Sequence, residues 1–322
     1  MGGGSFQPSD WQSFKTNSVA GKSTGQVFTS RNIVEDLNPI KFKNGIRESV
    51  DGPDHTNTTP VAIFTDCTGS MGKLAHSVVK KLDVVCQSLL DKAPVPDVHL
   101  MTGVVGDAYS DSAPIQATQF ESDIRIAQQT TQLYLEGNGG GNGGESYALP
   151  WLMLALKTTS DSFNKRGKKG YCFTVGDEGI HGVVPYRDSY FDGSGGSGKI
   201  AGVTKEQAKQ FLDIDLERDL TAQEILDMVS KTYNVYHIVV ETGRKSDVQA
   251  TWEVLMPDRL LYLEANNIDL LPEIIVSTIE INEGRDAAKV AAAWGGDTSI
   301  VVANAIRSLA KVDSAQPEVV RL

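Results

Sequence analysis

Val61-Ala62-Ile63-Phe64-Thr65-Asp66-Cys67-Thr68-Gly69-Ser70-Met71-Gly72 begins as a short apolar run and ends in a carboxylate and two hydroxyls at alternate positions. The run is bounded by Pro60 and a glycine and predicts a buried strand, with a helical pattern taking over after Gly72. Open α/β sheets place their ligands at the C-terminal ends of parallel strands. Ligands that are all oxygen suit a hard cation such as Mg²⁺. The expectation is a metal site at the top of a doubly wound sheet. The plainer alternative is a helix N-cap, with Thr68 or Ser70 as the capping hydroxyl.

Two later stretches share this form. Gly137-Asn138-Gly139-Gly140-Gly141-Asn142-Gly143-Gly144-Glu145-Ser146 precedes a helical pattern from Tyr147 to Lys157. Tyr171-Cys172-Phe173-Thr174-Val175-Gly176-Asp177-Glu178 is another apolar run ending in carboxylates. Taken together, the three loops resemble the metal-ion-dependent adhesion site of von Willebrand factor A domains, in the D-x-T-G-S-M form of bacterial and intracellular members. That resemblance implies Asp66, Thr68, Ser70 and Asp177 as ligands, with a fourth loop residue that is either Glu145 or Ser146. It implies Mg²⁺ as the ion, with Mn²⁺ or Ca²⁺ as alternatives. Many relatives carry a neutral Thr where Glu145 falls. With a hydroxyl there, the formal charge is +2 − 2 = 0; with Glu145 bound it is +2 − 3 = −1, which weakens attraction for a partner's carboxylate. Glu145 could instead simply favour the N-terminus of its own helix.

The intervening chain alternates in the same way. Leu74, Val78, Leu82, Val85 and Leu89 lie three and four residues apart, one face of a helix that Pro94 and Pro96 end. Strands are expected at Val98 to Val105, Gln116 to Phe120, Asn234 to Glu241 and Leu260 to Glu264. Helices are expected from Asp123 to Leu135 behind Ser122, from Thr221 to Thr232 and from Ile268 to Ile281. Alternating elements of this kind predict a doubly wound, mostly parallel sheet covered on both faces, and the resemblance implies that it is a von Willebrand A or Rossmann-like α/β fold. The organisation expected is an extended Gly/Ser/Thr-rich arm at 1–58, a domain at 59–283 and a helical extension at 284–322. The extension holds helices at Arg285 to Trp294 and Ser299 to Lys311. A glycine-rich insertion at 184–203 either folds over the metal or is a solvated loop.

Composition narrows the function. A net charge of −11 argues against general nucleic-acid or membrane-surface binding. The cluster Lys165-Arg166-Gly167-Lys168-Lys169 reads as a solvated loop, and no stretch suits a membrane span or a signal region. Cys67, Cys86 and Cys172 read as reduced core thiols of a cytoplasmic protein. Gly21-Lys22-Ser23-Thr24 lacks the earlier glycine of a phosphate loop, because that position is Thr16. The five histidines show no zinc spacing. His181 is the one placed to approach the metal, which would open metal-assisted hydrolysis.

The expected function is therefore non-catalytic: a module that binds a protein partner through the metal, by resemblance an acidic side chain or an AAA-type ATPase. A second expectation is a structural subunit of a homomeric or phage-encoded assembly, held by the arm and the C-terminal helices. A third, Ro-like RNA association, draws on Gly-Gly-Glu-x-x-Ala-Leu-Pro at 143–150 but lacks a helical-repeat ring and has the wrong charge.

Overall fold

The structure is a computed structural model that describes residues 4–68, 72–137, 144–183, 201–241 and 245–309. Its strands are β1 (Arg47–Ser49), β2 (Thr59–Asp66), β3 (Val98–Val105), β4 (Ile115–Ala117), β5 (Gly144–Glu145), β6 (Thr158–Ser160), β7 (Gly170–Gly176), β8 (Gly179–Ile180), β9 (Tyr233–Glu241) and β10 (Leu260–Glu264). The helices used below are α1 (Pro8–Phe14), α2 (Thr24–Val27), α3 (Gly72–Lys92), α4 (Arg125–Thr130), α5 (Ala148–Lys157), α6 (Asp161–Arg166), α7 (Lys205–Leu212), α8 (Ala222–Val229), α9 (Lys245–Leu255), α10 (Leu271–Asn282), α11 (Ala287–Ala292) and α12 (Gly296–Ala305).

Six strands form the central sheet in the order β10-β9-β7-β2-β3-β4, parallel except for the edge strand β4. The fold is therefore α/β and doubly wound, with the order reversing between β2 and β7. Every residue of β2 and β7 is buried, as expected of strands covered on both faces. Alternate side chains enter opposite cores. Val61, Ile63, Phe173 and Val175 face α3 and α10, whereas Ala62, Phe64 and Cys172 face α5, α8 and α9. The periodicity that predicts α3 is the one it buries: Val78, Leu82, Val85 and Leu89 all lie in the first core.

The N-terminal segment differs from the expected extended arm. It forms α1, α2 and short turns, and Trp11, Val19, Val27, Phe28 and Leu37 join the core against α3. Lys15 pairs with Asp83 at 2.9 Å, and Thr24 Oγ1 lies 3.0 Å from His76 Nδ1. Ser23, within the phosphate-loop-like string, instead starts α2, its N–H donating to Gln26 Oε1 at 2.9 Å. The segment then forms β1, which pairs in parallel with β6 in a two-stranded sheet of its own. Arg47 lies over the Phe42 ring and donates to the Ala117 carbonyl on the edge strand β4.

The opposite edge is covered by the C-terminal helices. Val302, Ala305, Ile306 and Leu309 are buried beside β10 and α10, and the Ser308 hydroxyl donates to the Leu260 carbonyl. Trp294 donates to Ser277 Oγ at 2.8 Å while Lys92 sits over its ring. The basic cluster is largely exposed, as expected, except at Arg166. Lys165 and Arg166 end α6, and Arg166 grips Asp51 through both guanidinium nitrogens at 2.7 and 3.2 Å. Of the expected insertion, 184–200 lies outside the described residues, and Val203 is buried and paired with Leu220.

Candidate functional site

The reversal of strand order puts the ends of β2 and β7 side by side, the position where open α/β sheets bind ligands. Asp66 is the last residue of β2 and is fully buried. Its Oδ1 accepts from the Thr68 N–H and from the Thr68 hydroxyl, both at 2.7 Å. Its Oδ2 accepts from the Tyr147 hydroxyl at 3.1 Å. Asp177 follows β7, is itself buried, and lies close enough to raise the Asp66 carboxyl electrostatically.

The second loop is fixed by two contacts of its own. The pair β5–β8 aligns Glu145 with Ile180, and the His181 N–H donates to the Glu145 carbonyl at 3.3 Å. Ser146 N–H donates to the Gly106 carbonyl at 3.1 Å, and Ser146 Oγ accepts from the Ala108 N–H at 2.9 Å. The two candidate ligands of this loop thus have different surroundings. Glu145 Oε1 lies 3.0 Å from Thr68 Oγ1, whereas the Ser146 hydroxyl is engaged by the backbone of the loop after β3. Ser70 lies outside the described residues.

Thr68 has one hydroxyl proton facing two carboxylates, and Glu145 Oε2 is buried with no hydrogen-bond partner. Burial, followed by repulsion from Asp66 and Asp107, pushes the Glu145 carboxyl well above the usual range. Burial and then Asp177 push Asp66 in the same direction. Buried carboxylates crowded in this way lack positive charge, and an orphaned oxygen among them has room for a ligand bond. No group of three or more His, Cys, Asp or Glu among the described residues is disposed to hold a metal by itself. Ion binding here would therefore have to use the hydroxyl of Thr68 with the carboxylates, a set of hard oxygen donors that suits Mg²⁺. On these observations the residues fit such an ion.

His181 does approach the cluster, but its Nε2 is 3.1 Å from Asp107 Oδ1, and both side chains are buried. Asp107 is further held by the Tyr109 N–H and the Ser110 hydroxyl. His181 Nδ1 is buried without a hydrogen-bond partner and faces Gly144. Cys67 points into the core, where burial pushes its thiol upward, away from the reactive thiolate. The sequence reading misses Tyr147, Trp252 and His237, which lie behind Asp66. A tyrosine at a helix start carries no motif, and its role appears only once β2 and α5 are packed together.

No protein-family model matches this chain. No curated protein matches it either. Among solved structures it is similar to the pilus adhesin SpaC from Lactobacillus rhamnosus GG in its open conformation, with 11% identity and a TM-score of 0.43. That match covers 72% of this chain and 31% of the adhesin. A second structure of the same adhesin matches with 12% identity, a TM-score of 0.43, and 72% and 32% coverage. A von Willebrand factor type A protein from Catenulispora acidiphila matches with 11% identity and a TM-score of 0.36, over 72% of this chain and 44% of that protein. This chain thus spans about a third of the adhesin and less than half of the type A protein. Similarities this low carry no argument about what it binds.

Proposed function

We propose that this chain is a von Willebrand A-type interaction module that binds a protein partner at the sheet-top site in a cation-dependent manner, without catalysis. The observation that carries the reading is the meeting of Asp66, Thr68 and Glu145 around a single hydroxyl, with Glu145 Oε2 left unpartnered. Asp66, Thr68, Glu145 and Asp177 would hold Mg²⁺, joined by Ser70 in the resemblance. Mn²⁺ or Ca²⁺ would be substitutes. Ser146 would position the loop rather than bind the ion. When bound, the ion supplies a coordination position for an oxygen of the partner.

The protein's own residues prepare that position. The Thr68 N–H and the Tyr147 hydroxyl orient Asp66, and the strand pair β5–β8 carries Glu145 to it. Three carboxylates with one divalent ion leave a formal charge of −1. A partner's carboxylate is then drawn less strongly than to a neutral site. We assign the site no hydrolytic role because His181 is engaged with Asp107 and the Cys67 thiol is buried.

We place the protein in the cytoplasm, acting on a protein such as an AAA-type ATPase rather than on nucleic acid or a membrane. No helix among the described residues is long and apolar enough to cross a membrane. The assembly reading, homomeric or phage-encoded, takes second place. Much of the apolar surface of both chain ends, including Trp11, Val27, Leu37, Val302 and Ile306, is buried within this chain, although Ile300 is exposed.

The test is thermal unfolding of wild type and Asp66→Ala, each with Mg²⁺ and with chelator. A cation bound only to the folded state raises stability by mass action. Wild type is expected to shift and the variant not to shift, after which partner capture is compared with and without Mg²⁺. Equal curves for wild type in millimolar Mg²⁺ and in chelator would sink the cation-dependent reading.

A further inference from the structure

Directly behind the acidic cluster lies a buried aromatic unit. Tyr147, fully buried, meets the His237 ring edge-on at 4.9 Å and the Trp252 ring at 5.3 Å. His237 stacks on Trp252 with ring centroids 3.6 Å apart. Each of the two larger rings directs its one polar donor at a different metal loop. The Tyr147 hydroxyl donates to Asp66 Oδ2 at 3.1 Å, and the Trp252 indole N–H donates to the carbonyl of Glu178, next to Asp177, at 3.0 Å. The sheet is shaped for this approach: a Cβ at Gly176 would sit 1.8 Å from the Tyr147 hydroxyl oxygen.

We infer that Tyr147 and Trp252 form one positioning unit that holds the Asp66 and Asp177 loops in place for the cation before it binds. The inference rests on the cation site proposed above. Groups hydrogen-bonded to ligands fix their orientation, so an arriving ion need not order them itself. Tyr147 takes up Asp66 Oδ2 and leaves Oδ1 turned toward Thr68 and Glu145. Trp252 ties the following loop to the same ring stack. If the rings served only as core filling, substitutions would lower stability but leave cation affinity alone.

The experiment uses Tb³⁺, a hard cation whose emission is excited through neighbouring aromatic rings, followed by displacement with Mg²⁺. Wild type, Tyr147→Phe, Trp252→Phe and Asp66→Ala are titrated at the same pH, with circular dichroism to confirm folding. Tyr147→Phe keeps the ring and loses the hydroxyl; Trp252→Phe keeps an aromatic face for His237 and loses the N–H. Wild type is expected to give Mg²⁺-displaceable emission that Asp66→Ala abolishes. Tyr147→Phe should weaken both Tb³⁺ and Mg²⁺ roughly 10- to 100-fold. Trp252→Phe should weaken them less and also dim the sensitised emission. Wild-type affinity in both folded aromatic variants, with only the unfolding midpoint lowered, would overturn the inference and leave the cation site standing. Absence of Asp66-dependent emission in wild type would remove the site itself and the inference with it.

Discussion

Replacing Glu145 with Gln should stabilise the protein in chelator and remove most of its gain from Mg²⁺. Asp66 Oδ1 and Glu145 Oε1 lie 2.7 and 3.0 Å from the same Thr68 oxygen, so the two carboxylates are at most about 6 Å apart. Were both ionised, two unit charges at that distance would repel by about 3 kcal/mol at an effective dielectric of 20, so the folded pair keeps a proton that the unfolded chain gives up. The amide keeps an acceptor for the Thr68 hydroxyl and adds a donor for Asp66, so its replacement removes charge without leaving a hole. Both wild-type carboxyls are raised in the fold, so their contribution is fully present at low pH and is lost as pH rises above the ordinary carboxylate range. The comparison is therefore made above neutral pH. Without cation, Glu145→Gln should unfold about 4 °C higher than wild type. With Mg²⁺ at a hundred times its dissociation constant, wild type should recover about 2.7 kcal/mol. The variant should recover far less, and the gap should close. A variant less stable than wild type in chelator would refute the reasoning, because Glu145 would then be a satisfied core group.

Other perturbations test the scaffold. Trp11→Ala should cost about 3–5 kcal/mol in urea unfolding, because the ring is buried in the core against α3 rather than carried on a free arm. An unchanged midpoint would detach the N-terminal segment from the fold. Arg166→Ala should cost about 1–3 kcal/mol at neutral pH, since the guanidinium holds the Asp51 carboxyl well below its usual range. That contribution is present above the ordinary Asp range and lost as pH falls through the depressed folded value, so wild type and variant should converge in acid. A difference that persists undiminished at pH 2 would mean the loss is one of packing. Removing 287–322 should uncover the β10 edge and promote self-association, detectable by light scattering; a monodisperse truncated protein would show that the helices do not guard that edge.

The central sheet was legible because its strands are continuous apolar runs. Val98–Val105 and Leu260–Glu264 form over the spans their composition indicates. The acidic ends of β2 and β7 stand out for a related reason, since a carboxylate directly after a buried run needs a partner. Elements stabilised by distant contacts were less visible. Trp11, Val19, Val27 and Leu37 recur with no helical or strand period, so only their packing on α3 reveals the N-terminal segment as part of the core. The helix expected from Asp123 to Leu135 is shortened to Arg125–Thr130, and the Ser122 hydroxyl bonds the Gly4 carbonyl instead of capping it. The edge strand expected at Gln116 to Phe120 spans Ile115–Ala117. Helix α7 was missed although Thr204 and Gln207 form a capping box that its sequence displays. In the site, Glu145 and Ser146 are adjacent and both carry oxygen. Their different environments arise from β5–β8 and from the loop after β3, neither of which a one-dimensional pattern encodes.

The anchoring of Glu145 has a bearing on how freely this chain can vary. Its place is set by residues 179–181 on one side and 106–108 on the other. A deletion between 177 and 180 would slip the β5–β8 register and carry Glu145 away from Thr68. The short turn after β7 therefore tolerates no change of length, because its span fixes where the acidic side chain of the neighbouring loop arrives.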